Sequence, residues 1–396
     1  MSVSLLPLSA ERKQQIVTLT CDLVLARGMA GHEQPAAQVA IEAMRALGYA
    51  DVRVDELGNV VGTLLPQADV DSASPTTGGI LFDSHLDTVE AAGQWSKDPF
   101  GGEVSDGKVW GRGTSDMKGA LAASICAAAF AQQDGRLKQP VHVSASVNEE
   151  QIEGLAFADV LEAYKPELVV ICESTQLKLN IGGRGRAELF ITTEGIPAHA
   201  STPQLGVNAL KQMAKLVLEL ERWRPPHDPE LGYGILEPTE IISHPFPSIS
   251  VLPDACRIRC DRRLLVGETA DEILAPINAL IEHMAQRDST FKARAEIDTE
   301  TITTYTGQTR TGFKIQPAWK FSPNEEWVRR ALAALGYPTI GYYAFCTNAA
   351  RSAGILGIPT LGFGPGSEST AHIADEYVEL EQLWGAAAGY YQLCSL

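Results

Sequence analysis

A histidine and an aspartate stand two positions apart at the end of an apolar run, in the sequence GGILFDSHLDTV. Because successive strand residues point to opposite faces, His85 and Asp87 should share one face of a strand. In open α/β folds, ligands bind at the carboxyl ends of the strands. A carboxylate beside an imidazole fixes its tautomer and strengthens it as a metal ligand. Taken alone, the pair is equally typical of an ordinary surface histidine and aspartate.

Other predicted strands and loops also end in acids or histidines. They are Asp116 after GRGTS, Glu149 and Glu150 after VHVSASVN, Glu173 after VVIC, and His372 in GPGSESTAHIADE. Burying such carboxylates without compensation would cost several kcal/mol each, and divalent cations supply that compensation. Two histidines and three carboxylates suit two metal ions with one bridging carboxylate. Without thiolates, the set favours zinc and also admits cobalt or manganese.

The two adjacent glutamates cannot easily both bind one ion. The sequence therefore predicts that one of Glu149 and Glu150 binds metal while the other is free to move protons.

Length and charge restrict the class of protein. A chain of 396 residues is too long for one ordinary core and predicts two domains. The net charge of −17 repels polyanions, so nucleic acid is not an expected partner. No stretch approaches the roughly 20 apolar residues of a membrane helix, and the N-terminus does not resemble a signal peptide. With seven scattered cysteines, these features predict a cytoplasmic protein with reduced thiols that acts on a small molecule.

Apolar runs and helical patterns alternate in the first part of the chain. This texture predicts the α/β class, with a mixed, largely parallel sheet between helices. From about Arg184 the order becomes β, α, β, β, α, β, which is typical of a ferredoxin-like α+β unit. We therefore predict a catalytic domain formed by residues 1–183 and 302–396, and an inserted lid or dimerisation domain at 184–301.

Six stretches, distributed over nearly the whole chain, match the motifs of a known family in the family's order. They are SHLDTV, WSKDPFGG with VWGRGTSDMKGALAA, NEEQIEG, CEST, PAHASTPQLGVNA and AHIADE. In these stretches the sequence resembles the acetylornithine deacetylase and succinyl-diaminopimelate desuccinylase family of di-zinc amidohydrolases and metallopeptidases, which includes aminoacylases and glutamate carboxypeptidases. GGRGRAELFI, CDRRLLVGET, YTG at 305–307 and FCTNAARSAGI resemble a bacterial branch of selenium-metabolism-linked hydrolases.

The resemblance implies roles for the acids and histidines. It assigns one metal to His85, Asp116 and Glu173. It assigns the second metal to Asp116, Glu150 and His372, so that Asp116 bridges the two ions.

Catalytic roles follow from the same resemblance. Asp87 would orient His85, and Glu149 would be the general base for a metal-bridged water. A cis peptide bond is expected after Asp116. His199, in PAHASTP, matches a residue that reaches the active site of a neighbouring subunit, which implies a homodimer or a higher homo-oligomer.

One stretch departs from the family pattern. Desuccinylases commonly have a glycine-rich run before Ser-Asp, whereas this chain reads CTNAARS, so Asn348 and Arg351 are predicted to alter the substrate pocket. Arg262 is a further substrate-binding candidate, because a guanidinium matches a carboxylate bidentately. Whether Arg184 or Arg186 also contacts the substrate is left open.

The sequence as a whole predicts a metal-dependent hydrolase that cleaves the C–N bond of a small polar amide, such as an N-acyl amino acid. One alternative is a dipeptidase-like or carboxypeptidase-like exopeptidase, and another is a hydrolase of N-carbamoyl or other amine-releasing substrates. A non-catalytic metal-binding scaffold is a more remote alternative.

Overall fold

The computed structural model of the chain describes residues 8–67 and 77–396. The prediction about the N-terminus falls partly on residues 1–7, which lie outside the described residues. In the described ranges the α-helices are α1 (Ala10–Leu25), α2 (Gln34–Ala46), α3 (Gly119–Gln133), α4 (Phe157–Tyr164), α5 (Ala209–Leu220), α6 (Ala270–Arg287), α7 (Glu326–Ala334) and α8 (Leu380–Leu393). None of them is both long enough and apolar enough to cross a membrane.

A nine-stranded mixed sheet forms the centre of the larger unit. Its strands are β1 (Asp51–Val54), β2 (Val60–Leu64), β3 (Ile80–His85), β6 (Val141–Ser146), β7 (Leu168–Ile171), β8 (Leu179–Gly183), β18 (Trp319–Lys320), β19 (Ile340–Tyr343) and β20 (Thr360–Gly362). They lie in the order β1-β2-β6-β3-β7-β20-β8-β18, and β19 pairs with β8. The four central strands β6, β3, β7 and β20 are mutually parallel. The predicted fold class is confirmed.

Helices bury both faces of this sheet. On one face, α1, α2, α3 and α8 pack against side chains such as Phe82 and Val170. Helix α3 is rich in alanine, and its residues from Gly119 to Ala131 are all buried, so it packs closely on the strands. On the other face, α4 packs against Leu81 and Val169. Burial on both faces explains why β7 and the first half of β3 are continuous apolar runs.

A five-stranded sheet forms the second unit. Its strands are β9 (Gly185–Glu194), β12 (Ile235–His244), β13 (Ala255–Leu264), β14 (Lys292–Ile297) and β17 (Ile315–Gln316). Strands β12, β13, β9 and β14 are adjacent in that order and antiparallel, while β17 also pairs with β9. Helices α5 and α6 cover one face. The chain order β9, α5, β12, β13, α6, β14 is the predicted βαββαβ order. The domain bounds, 1–183 with 302–396 and 184–301, stay a prediction.

Smaller sheets complete the fold. They are a three-stranded sheet of β4 (Glu103–Ser105), β5 (Lys108–Trp110) and β21 (Tyr377–Glu379), and two hairpins, β10 (His227–Asp228) with β11 (Gly232–Tyr233) and β15 (Thr299–Thr303) with β16 (Thr309–Phe313). The three-stranded sheet lies next to the loop that carries Asp116, because β21 contacts the Thr114–Lys118 turn.

Candidate dinuclear metal centre

His85 ends strand β3 and is held in one orientation by the residues that follow it. Its Nδ1 lies 2.8 Å from the backbone carbonyl oxygen of Asp87, which leaves Nε2 directed at the other acids. The Asp87 carboxylate lies 3.6 Å from the same Nδ1 and accepts the backbone N–H groups of Glu149 (3.1 Å) and Glu150 (2.9 Å). Asp87, which is fully buried, therefore positions the two glutamates as well as the imidazole.

Asp116 lies between the two histidines. Its Oδ1 is 3.0 Å from His85 Nε2, and its Oδ2 is 3.1 Å from His372 Nε2. The Asp116–Met117 peptide bond is cis, as expected. Each carboxylate oxygen faces a different imidazole, which is the arrangement that a bridging ligand requires.

The remaining acids complete two groups of ligand atoms. Glu150 Oε1 lies 3.2 Å from His372 Nε2, and Glu173 Oε1 lies 3.5 Å from His85 Nε2. Glu149 Oε2 is farther from His85 Nε2, at 3.9 Å. Ligand atoms of His85, Asp116 and Glu150 all lie within 4.8 Å of one another, and so do those of His85, Glu149 and Glu173. The structure thus brings together all the side chains that the sequence predicted as metal ligands.

The pKa values of the clustered acids and of His372 indicate that the cluster requires positive charge. Burial is the largest cause that raises the pKa of Glu149, Glu150 and Glu173, and the charge of neighbouring carboxylates raises each pKa further. For Glu150 the pKa rises to about 7. Hydrogen bonds to Asp116 and Glu150 raise the pKa of His372 to about 10. Ionising several buried carboxylates together is costly unless positive charge is present. Two divalent cations would supply that charge, and nitrogen and oxygen donors suit them.

A buried ion pair outside the predicted set holds the loop of Asp116. Glu376 Oε2 accepts from Arg112 Nη1 at 2.6 Å, and both side chains are almost completely buried. Glu376 Oε1 accepts the backbone N–H groups of Ser115 (2.9 Å) and Asp116 (3.1 Å). Glu376 follows His372 by four residues, so this carboxylate ties together the two loops that carry metal-ligand candidates.

Replacing Glu376 with glutamine should lower the affinity for metal by about 10- to 100-fold, because the amide cannot reproduce the charged contact that fixes Asp116. Competition with a chromogenic chelator measures this affinity, and Glu379→Gln, an exposed glutamate three residues on, is the matched control. Unchanged affinity in a folded Glu376→Gln protein would limit the ion pair to a role in stability.

A cavity of about 300 Å³ opens over the cluster, and the second sheet supplies part of its wall. Arg186 on β9 and Arg263 on β13 line it together with the acids. Arg186 forms ion pairs with Glu153 (3.2 Å), Glu188 (2.7 Å) and Asp261 (3.1 Å), and Arg263 pairs with Asp261 at 2.7 Å. The cavity therefore combines an acidic floor with two guanidinium groups that are paired with acids of their own.

The structure does not bring Asn348 into the cavity wall. Its side chain is 3% exposed and fully used inside the fold. Nδ2 donates to Asp83 Oδ2 (2.8 Å) and Ser146 Oγ (3.1 Å), and Oδ1 accepts from the backbone N–H of Gly154 (2.6 Å). Asn348 therefore holds the turn that follows Glu149 and Glu150, and it does not face the cavity.

The predicted substrate arginines also lie elsewhere. Arg262 is 1% exposed, forms an ion pair with Glu268 and lies over the ring of Trp223. It is therefore buried inside the second unit and is not among the described residues that line the cavity. Arg351 lies against Gly154 and is absent from the described residues that line the cavity. The contacts of Arg262 indicate a structural role, whereas the substrate role of Arg351 stays a prediction. Arg186 and Arg263 are further candidates, because they line the cavity.

His199 lies outside the cavity wall of its own chain. Its Nδ1 accepts the backbone N–H of Ser201 (3.1 Å) and lies 2.7 Å from the Ser201 hydroxyl. The residue is exposed, in the segment that pairs with Val251. A role in the chemistry would therefore require a second subunit.

Comparisons with known proteins show the family and the fold of the chain. The model of peptidase family M20/M25/M40 matches residues 81–395, and the chain belongs to this family. It is 31% identical over 361 residues to uncharacterized protein YgeY of Escherichia coli K12, covering 88% of this chain and 86% of that protein. The protein is thus a hydrolase of the metallopeptidase class that acts on amide bonds.

Solved structures share the fold at lower identity. Aminopeptidase PepT from Bacillus cereus has a TM-score of 0.73 at 20% identity, covering 97% of this chain and 98% of that one. The Bacillus subtilis YXEP protein, described as a dinuclear metal-binding peptidase, has a TM-score of 0.69 at 14% identity, covering 98% of each chain. Human carnosine dipeptidase 1 has a TM-score of 0.68 at 16% identity, also covering 98% of each chain.

Proposed function

We propose that this enzyme hydrolyses the C–N amide bond of a small substrate with a free carboxylate, such as an N-acyl amino acid. The observation that carries the proposal is that Arg186 and Arg263 line the same cavity as the acidic cluster. Guanidinium groups match carboxylates, so a carboxylate bound there would hold the adjoining amide over the cluster. A dipeptidase or carboxypeptidase activity has the same requirement and is the second candidate. The resemblance to deacetylases and desuccinylases favours the first.

The cluster would hold two metal ions. We assign one to His85, Asp116 and Glu173, and the other to Asp116, Glu150 and His372, with zinc as the proposed metal and cobalt or manganese as alternatives. Bound divalent cations would polarise the scissile carbonyl and lower the pKa of an attacking water.

Glu149 is the proposed general base. It lines the cavity, is 7% exposed and lies farther from His85 than Asp116 and Glu173 do, so it can act without binding metal. Its carboxylate would take a proton from the attacking water and deliver it to the leaving nitrogen. The acyl carbon gains the hydroxyl group and the amine gains the hydrogen as the C–N bond breaks.

Arg263→Lys should lower kcat/KM for substrates with a free carboxylate by about tenfold or more, because lysine cannot reproduce the bidentate fork. A panel of N-acyl, N-carbamoyl and dipeptide substrates, each with a free carboxylate and as its amide, measures the effect. The matched control is Arg257→Lys, an exposed arginine on the same strand. If wild-type enzyme hydrolyses free acids and amides equally well, carboxylate anchoring is ruled out.

We further propose that the working unit is a homodimer in which His199 completes the partner's site. Strand β12 is an edge of the second sheet and carries exposed Ile241 and Ile242, while Phe246 and Ile249 beyond it are 75% and 87% exposed. An exposed apolar edge strand is unfavourable in water and is usually covered by protein. In the proposed homodimer, a second copy of the chain covers it.

Mixing variants tests this assignment. Glu149→Gln and His199→Ala protomers should each be nearly inactive, whereas a mixed dimer should regain up to roughly half of wild-type activity, since one of its two sites is intact. Mixing Glu149→Gln with Asp116→Ala, two defects within one chain's site, is the control and should restore nothing. Failure of the first mixture to recover, with subunit exchange verified, would place His199 outside the partner's chemistry.

A further inference from the structure

Glu33, directly before helix α2, is a buried acid that the proposed chemistry does not use. Its side chain is completely buried and does not cap α2. Its Oε1 instead accepts the backbone N–H groups of Gly31 at 3.0 Å and of Asn148 at 3.2 Å. Its Oε2 has no hydrogen-bond partner among the residues that the structure describes. Glu33 thus reaches from the N-terminal part of the chain to the residue before Glu149.

The burial of Glu33 costs the fold stability. Burial, as the larger cause, and the charge of Asp87 raise the pKa of Glu33 to about 7. A buried polar atom without a partner costs about 1–3 kcal/mol, and more when the group is charged. Residues that break the local rules of stability are expected at functional sites. The contact with Asn148 therefore indicates a role other than stabilising the fold.

Two buried acids together hold the turn that carries the adjacent glutamates. Glu33 accepts the N–H of Asn148, and Asp87 accepts those of Glu149 and Glu150. Asn148 has a φ of 55°, in the left-handed region that few residues other than glycine adopt, so the chain turns at this residue. Fixing the N–H of Asn148 therefore fixes the direction in which the next residue leaves the turn.

The loop that carries Glu33 is itself bound to the end of strand β3. The carbonyl oxygen of Gly28 accepts the N–H of Thr88 at 2.8 Å, and Met29 forms a parallel bridge with Thr88. Thr88 directly follows Asp87. The two acids that hold the turn are therefore carried by segments that are hydrogen-bonded to each other.

The proposed general base depends on this support more than the metal ligands do. A metal ligand is also held by the ion that it binds, so the proposed ligand Glu150 has a second restraint. Glu149 is proposed to bind no metal, and its direction is set by the turn that carries it. A displacement of about 1 Å can cost a reacting group about 100-fold in rate.

We propose that Glu33 is a positioning residue that orients Glu149 through the backbone N–H of Asn148. The inference rests on the proposed function, in which Glu149 is the general base. Glu33 is not among the described residues that line the cavity. Its effect should therefore fall on kcat, and not on KM or on the number of bound metal ions.

The test uses two variants that separate the reach of the side chain from its charge. Glu33→Gln keeps the length and an oxygen acceptor but loses the negative charge, so kcat should stay within about threefold of wild type. Glu33→Asp keeps the charge but is one methylene shorter, so it loses the contact with Asn148 and kcat should fall by about tenfold or more. Both variants should keep the wild-type KM and two bound metal ions, as measured by steady-state kinetics and metal analysis of the same preparation.

The same two changes at Glu42, an exposed glutamate on α2, are the matched control and should leave kcat unchanged. Glu33→Met, which keeps the length but has no oxygen acceptor, replaces Glu33→Asp if the latter does not fold, and it should also lower kcat. A wild-type kcat in the folded variant that lacks the contact would overturn the inference. A larger loss in Glu33→Gln than in Glu33→Asp would also contradict it, because the charge would then matter and the reach would not.

The inference and the proposed function fail in different ways. If Glu149→Gln is nearly inactive while Glu33→Asp keeps the wild-type kcat, Glu149 remains the proposed base and only the role of Glu33 falls. If Glu149→Gln keeps most of the activity, the proposed base falls and the role of Glu33 falls with it.

Discussion

Glutamine in place of Glu149 should lower kcat by about 10²- to 10⁴-fold and leave two metal ions bound. The amide has nearly the same shape as the carboxylate but cannot accept a proton from water. Glu149 lies 3.9 Å from His85 Nε2, compared with 3.0 Å for Asp116, so the metal ligands do not depend on it. Steady-state kinetics and metal analysis of the same preparation measure the two quantities.

Glu162→Gln, an exposed glutamate on α4, is the matched control and should keep wild-type kinetics. Loss of metal from Glu149→Gln would mean that Glu149 is a ligand, as its place in one of the two ligand groups permits. Retention of most of the activity would exclude it as the base. Loss of metal would make Glu149 a ligand in place of the proposed general base, and retained activity would leave the general base unassigned.

Alanine in place of Asp116 should remove both metal ions together and reduce activity to background. Its two oxygens face the two histidines at 3.0 and 3.1 Å, so one side chain serves both proposed ions. Without the Asp116 carboxylate, each proposed site loses a ligand, and the remaining carboxylates repel one another. Metal analysis should give far less than one ion per chain, whereas Asp22→Ala, an exposed control on α1, should retain two.

A bound stoichiometry close to one would contradict this expectation. It would show that one ion is held independently, and that Asp116 belongs to the other site alone. Thermal unfolding of the apo forms of both variants separates loss of metal from loss of fold.

Much of the cluster was predictable because metal ligands at strand ends follow from local pattern and topology. His85 ends an apolar run, Glu173 ends another, and parallel neighbours place such ends at one edge of the sheet. The βαββαβ order was readable for a similar reason, since each element carries its own periodicity.

The substrate residues were not predictable in the same way. Arg262 and Arg263 are neighbours on β13, and successive strand residues face opposite sides of a sheet. The prediction identified the correct strand but the wrong face, since Arg263 lines the cavity and Arg262 does not. The Arg112–Glu376 pair joins residues 264 positions apart, and no local pattern reveals such a contact.

The residues proposed for the chemistry and part of those proposed for substrate recognition come from two different sheets. Acids and histidines come from the nine-stranded sheet and its loops, whereas Arg186 and Arg263 come from the five-stranded sheet. In evolutionary terms, the two properties can therefore change separately. Under the proposed function, substitutions at the positions of β9 and β13 that line the cavity would redirect the enzyme to new substrates, while the strand ends that carry the proposed metal ligands are inherited unchanged. Enzymes with this architecture would then diverge first in their substrates and retain the type of reaction.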